Sequence, residues 1–137
     1  GIFKNVRSDQ YEFHNWVSTN AHPYKQALLN ADIAIIPLNN DLFNRCKSSI
    51  KWVEYSSLKI PSVVVNIPPY SPEVEHHKTG FLYDTGEQFE EHLEKLINYP
   101  MTRLDVGESA RNYIADKFDA YAQAELWADA YKKVMEG

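Results

Sequence analysis

NRCKSSIKWVEYSSLKIPSVVVN, residues 44–66, joins a helical pattern to a buried strand and carries a single acid, Glu54, among basic and apolar residues. Ile50, Val53 and Leu58 recur at helical spacing within residues 47–59, and Pro61 closes the segment. Residues 62–66 follow as a strand whose Val63, Val64 and Val65 do not alternate with polar residues. A strand covered on both faces reads this way, as in a parallel sheet. Upstream, ADIAIIPL (residues 31–38) has the same character: Ile33, Ala34, Ile35 and Ile36 are continuous, and Pro37 ends them. Two such strands separated by a helix define an α/β unit with a parallel sheet.

Working outward, HPYKQALLN (residues 22–30) predicts a short helix with Pro23 in its first turn and Tyr24, Leu28 and Leu29 inward. Residues 11–17, rich in aromatic side chains, read as a further strand. Downstream, three prolines in residues 67–73 exclude regular structure. A strand is expected at 81–83, a turn at Thr85 and Gly86, and an amphipathic helix at 87–98 with Phe89, Leu93, Leu96 and Ile97 inward. Helices at 102–117 and 120–135 complete the chain, and Trp127, Tyr131 and Val134 form a stripe expected to lie in the core.

The bulk properties bound the function. The 137 residues suit one domain, with 44% hydrophobic and 24% charged residues. A net charge of -5 argues against nucleic acid as a partner, since that would need a basic face. Cys46 is the sole cysteine, which fits a reducing compartment. No apolar run approaches the roughly 20 residues that span a bilayer, and neither a signal peptide nor an Arg-rich transit segment is recognised. Ile2 and Phe3 open the chain without a preceding element, so a piece of a longer protein is expected.

In open parallel sheets, ligands lie beyond the carboxyl ends of the strands. Residues 38–49 and 66–73 occupy those positions, and the first of these leads into a helix amino end, where unpaired N–H groups and the dipole favour an anion. Ser48 and Ser49 are small enough to admit one, and Lys47 adds charge. Lys47, Lys51 and Glu54 fall at i, i+4 and i+7 on one stripe. Glu54 is placed to accept from a pair of sugar hydroxyls, or else to form a solvated pair with Lys51. His76 and His77 are adjacent and expected to point apart, without a third ligand at metal-binding spacing. They read as exposed loop residues, and His14 and His22 as surface or capping positions. Tyr70 either stacks on a nucleotide base or packs beneath the proline-rich loop. Glu73 and Glu75 could form a carboxylate pair, but nothing near them in the sequence suggests an acid–base role. No dinucleotide or Walker glycine motif is present.

YKQALLNADIAIIPL, the polar loop, KWVEYSSLKIPSVVVN, HHKTGFLYD and ESARNYIADKF, in that order, resemble the C-terminal donor-binding domain of GT-B glycosyltransferases, specifically family 4, also called group 1. The likeness runs from about Tyr11 to the C-terminus. It implies a Rossmann-like parallel sheet flanked by helices, with a C-terminal helical tail, forming one domain over residues 1–137. It also implies a hexosyltransferase-like enzyme acting in polysaccharide or glycoconjugate synthesis. The family pattern of Glu, seven residues, Glu places its second acid, the ribose contact, at Glu54. Its first acid, which reaches the transferred sugar, falls on Cys46, and a thiol cannot replace that carboxylate. Lys47, Ser48 and Ser49 match the stretch that holds the diphosphate.

The family's basic pair, first βα units and acceptor domain would lie upstream of Gly1. The implied partners are a nucleotide-sugar donor and, through the missing domain, an acceptor glycan, lipid or other small molecule. The resemblance implies no cofactor and no metal, and it assigns no catalytic residue. The expected location is cytoplasmic, with peripheral membrane attachment of a full-length protein left open. The isolated fragment is expected to be inactive. The rival reading is a non-catalytic interaction module that retains the fold.

Overall fold

The computed structural model describes Asp9 and residues 21–136. The strand expected at 11–17, with His14, lies outside the described residues, as does the side chain of His22. Within them, α1 (Ala21–Leu29) leads to β1 (Ala34–Ile36), followed by α2 (Leu42–Arg45), α3 (Ile50–Ser57) and β2 (Ser62–Val65). A turn-rich connection reaches β3 (Phe81–Tyr83), and α4 (Gly86–Asn98), α5 (Pro100–Lys117) and α6 (Ala120–Glu136) follow. The sheet has the order β1-β2-β3, and both pairings are parallel, with Ile35 opposite Val63 and Val64 opposite Leu82. This is a Rossmann-like α/β arrangement, as the unbroken apolar runs of β1 and β2 predict.

Alternation along the strands divides the core between the two faces. Ile36 and Val64 pack with Trp52 of α3, Ile114 of α5, and Ile67, Tyr70 and Val74 of the connection. Val63 and Phe81 pack with Leu96 of α4 and Val106 of α5. Val63, Val64, Trp52 and Phe81 are wholly buried. Tyr70 is buried too, so it packs beneath the proline-rich loop and offers no face to a base. That loop holds a cis Pro68-Pro69 bond, and a Lys117–Glu73 pair at 2.8 Å ties it to the end of α5. Glu75 pairs with Lys78 at 2.7 Å. Gly80 is needed for close packing, because a Cβ there would lie 2.9 Å from Val74 Cγ1.

The helix ends have identifiable causes. Thr85 caps α4, accepting from the Gln88 N–H, while Gln88 Oε1 accepts from the Asp84 N–H. Residues 85 and 86 thus begin the helix instead of forming a separate turn. Arg103 donates to the carbonyls of Leu96 and Ile97, satisfying acceptors at the far end of α4. Pro100 occupies the first turn of α5, which starts two residues earlier than predicted. At the end of α3, Lys59 N–H bonds Ser56 O and Ile60 N–H bonds Tyr55 O, both at 3.0 Å. With Lys59 at φ 60°, these two bonds make a Schellman motif that carries lysine where glycine is usual.

Four expectations about helix extent and packing are corrected. The segment 47–59 is not one helix: Asp41 caps the separate α2 by accepting from Asn44 N–H at 2.8 Å, and α3 begins only at Ile50. Trp52 and Ser56 are the buried residues of α3 and Val53 packs against the same core as expected, whereas Ile50 is exposed. In α4, buried His92 accompanies Leu96, and Ile97 faces solvent. On α6, Trp127, Tyr131 and Val134 are 63%, 65% and 81% exposed, so their stripe is not core among the described residues. The amphipathic pattern was real, but no described element covers it.

Candidate functional site

The site is set by topology. Because β1 and β2 are parallel, α3 must run back along the sheet, which brings its amino end to the carboxyl ends of the strands. Residues 37–49 lead there from β1. Beside them, Asn66 follows β2; its N–H donates to Tyr83 O at 2.8 Å, and its side-chain amide donates to Asp84 Oδ2 at 3.1 Å. Asn66 and Asp84 were not singled out by sequence, since their pairing spans two strand ends.

Cys46, Lys47, Ser48 and Ser49 are contiguous ahead of α3. Cys46 is exposed and closes the carboxyl end of α2 instead of opening α3. The Lys47 ammonium sits 4.7 Å from the centre of the Phe43 ring, on the exposed surface of α2. Ser49 is the N-cap residue of α3, yet its side chain makes no capping hydrogen bond. Lys47 therefore stands outside the helix, and only Lys51 and Glu54 share the helical stripe. Glu54 lies four residues past the helix start, about 6 Å along the axis at 1.5 Å per residue. That is nearer the amino end than a helix starting at 47 implied.

Glu54 is held by two partners. Its Oε2 accepts from Lys51 Nζ at 2.9 Å and from the Tyr24 hydroxyl at 2.8 Å, and Lys51 also donates to Tyr24 at 2.7 Å. The Lys51 ammonium lies 4.7 Å from the Tyr24 ring centre. Burial raises the Tyr24 phenol pKa; the Lys51 hydrogen bond opposes that shift and the Glu54 bond adds to it, leaving the net direction upward. Burial pulls Lys51 down, but its bonds to Tyr24 and Glu54 prevail and hold it above its ordinary value. The phenol therefore stays protonated and the amine charged at neutral pH. Sequence reading anticipated the Lys51/Glu54 contact but placed Tyr24 in the core, because a contact across 30 residues leaves no local periodicity.

His76 and His77 are exposed, as expected, but their orientation is not the expected one. His76 and His77 do not point apart: their ring centroids are 3.8 Å apart, because His77 adopts φ 66°. Both rings meet His92 and Phe81. His76 Nδ1 accepts from Leu82 N–H at 3.0 Å, so that nitrogen carries no proton. Among the described residues, no group of three His, Cys, Asp or Glu side chains could hold a metal ion.

A parallel three-stranded sheet flanked by helices defines an α/β domain of the Rossmann-like class. The family is more specific: the model for "Glycosyl transferases group 1" matches residues 7–113, and the chain belongs to that family. A relative in Staphylococcus aureus, the capsular polysaccharide biosynthesis glycosyltransferase CapM, is 24% identical over 113 residues, covering 79% of this chain. The chain spans only 28% of the length of that protein. No helix among the described residues is long and apolar enough to cross a membrane.

Proposed function

We propose that this chain is the nucleotide-sugar-binding part of a hexosyltransferase-like glycosyltransferase, acting cytoplasmically in polysaccharide or glycoconjugate synthesis. Family membership supports sugar transfer. The observation that carries donor binding is Glu54, anchored by Tyr24 and Lys51 one turn inside a helix whose amino end opens at the carboxyl edge of the sheet. In this reading Glu54 accepts from the ribose hydroxyls, and the N–H groups around Ser48 and Ser49 meet the diphosphate with Lys47 beside them. Positive charge and helix dipole then stabilise the leaving nucleoside diphosphate. The acceptor, a glycan, lipid or other small molecule, is bound by sequence outside residues 1–137, and this chain alone transfers no sugar.

The test is a titration of the complete gene product with UDP, GDP and ADP. Glu54→Gln should weaken the best-bound nucleotide by about 1–3 kcal/mol, the range for hydrogen bonds to charged groups. That loss should vanish with the 2′,3′-dideoxy form. Lys47→Ala should weaken both forms, more so at low salt. Equal affinity of wild type and Glu54→Gln would return Glu54 to the role of a surface ion pair. A second reading, a non-catalytic module of the same fold, is favoured by Cys46, a thiol where the family pattern has its first acid. Nucleotide binding without sugar transfer by the complete gene product would select it.

A further inference from the structure

The two oxygens of Glu54 are used unequally. Oε2 accepts from both Tyr24 and Lys51, at 2.8 and 2.9 Å. A carboxylate oxygen has two in-plane lone-pair sites, so these contacts fill Oε2. None of the hydrogen bonds among the described residues ends on Oε1. The Tyr24 hydroxyl donates to Glu54 and accepts from Lys51 at 2.7 Å. The three groups close a ring of hydrogen bonds that joins α1 to α3.

We propose that Tyr24 and Lys51 are positioning residues that fix the Glu54 carboxylate through Oε2 and reserve Oε1 as the acceptor for the ribose of a bound nucleoside diphosphate. The inference rests on the reading of Glu54 under Proposed function. A glutamate on a helix surface otherwise samples many rotamers, and ordering it on binding costs affinity. Ordering it beforehand removes that cost from the binding step. Lys51 has a second effect: it offsets a carboxylate that would otherwise repel a diphosphate nearby. Tyr24 contributes direction without charge, because its phenol stays protonated.

The experiment uses the complete gene product and whichever of UDP, GDP or ADP binds best, with its 2′,3′-dideoxy counterpart. The readout is the ratio of the two affinities. Tyr24→Phe keeps the ring beside Lys51 and removes only the hydroxyl. It should weaken the ribonucleotide about threefold to tenfold, as expected for one hydrogen bond, and leave the dideoxy form unchanged. Lys51→Met should lower the same ratio, providing a second route should Tyr24→Phe fold poorly. A purely structural role would weaken both nucleotides equally and leave the ratio at its wild-type value, which overturns the inference. Should Glu54→Gln collapse the ratio while Tyr24→Phe and Lys51→Met preserve it, positioning fails and the ribose contact stands. Should Glu54→Gln also preserve the ratio, or none of the three nucleotides bind, the underlying reading fails too.

Discussion

Gly107 is the position at which a single methyl group would do most damage. It lies on α5 directly beneath the Schellman turn that ends α3, and a Cβ built there would come 2.1 Å from Lys59 O and 2.9 Å from Lys59 C. A carbon normally approaches a carbonyl oxygen no closer than about 3.3 Å, so one backbone must retreat by roughly 1 Å. No rotamer change can relieve the contact, because the obstacle is backbone on both sides. Overpacking of this kind costs about 1–3 kcal/mol, and a backbone-to-backbone clash belongs at the upper end. Replacing a mid-helix glycine by alanine returns about 1 kcal/mol in helix propensity. The net expectation for Gly107→Ala is therefore a loss of about 2 kcal/mol, or ~8 °C in melting temperature for a domain of this size. Urea unfolding followed by circular dichroism checks it, with an unchanged m-value showing that stability alone has moved. Gly86→Ala is the control: it meets nothing within 4 Å and should be neutral or slightly stabilising. A Gly107→Ala protein as stable as wild type would mean that α5 and the end of α3 are not packed in this register.

Lys59→Gly should stabilise by about 0.5–1 kcal/mol, because relief of φ 60° exceeds the loss of an exposed ion pair with Glu108; a lower urea midpoint would contradict this. Burial depresses His76, reinforced by His77, His92 and Lys95 and opposed by Asp84; it also depresses His77, reinforced by Lys95 and His92 and opposed by Glu91. The folded state thus resists protons that the unfolded state accepts below its ordinary pKa of 6.5, so stability should fall as pH drops through that value. His77→Asn, which tolerates φ 66°, should flatten that dependence, and a melting-temperature series from pH 7.5 to about 5 measures it. Cys46 is exposed and should react with a thiol reagent without denaturant; under the proposed function, a bound nucleotide should slow that reaction.

What could be read in the sequence follows from burial. β1 and β2 were legible because both faces are covered, which leaves Val63 and Val64 no polar neighbours to alternate with. The start of α3 was not legible. Lys47 and Ser48 continue a helix-compatible pattern, and only the Asp41–Asn44 cap, three residues apart, signals that a separate turn has formed first. The inward face was read only in part: Val53 packs against the core, but the apolar Ile50 is exposed while the small Ser56 is buried one turn from Trp52, a position that its polarity concealed. On α6 the stripe was legible and its burial was not, since amphipathicity records a preference and not the presence of a partner. The family pattern located Glu54, but nothing local in the sequence joined it to Tyr24.

The two faces of α3 answer different demands. At about 100° per residue, Trp52 and Glu54 point roughly opposite ways, while Lys51 and Glu54 lie within about 60° of each other. Trp52 is wholly buried and donates to Thr79 O at 3.2 Å, so the inward side fixes the helix against the sheet and the connection. The outward side has no packing reason to be charged. A solvated Lys51/Glu54 pair would contribute a few tenths of a kcal/mol and would need no third member. Instead α1 brings a tyrosine over it, at the cost of partly desolvating a phenol, and spends that hydroxyl on one carboxylate oxygen. Water could have satisfied Oε2 equally well. Other ion pairs here, Lys78–Glu75 and Lys59–Glu108, also use a single carboxylate oxygen, so it is the added hydroxyl from α1 that sets Glu54 apart. That is why Glu54, and not the more exposed Lys47 or Cys46, is the residue on which the donor-binding reading should be tested first.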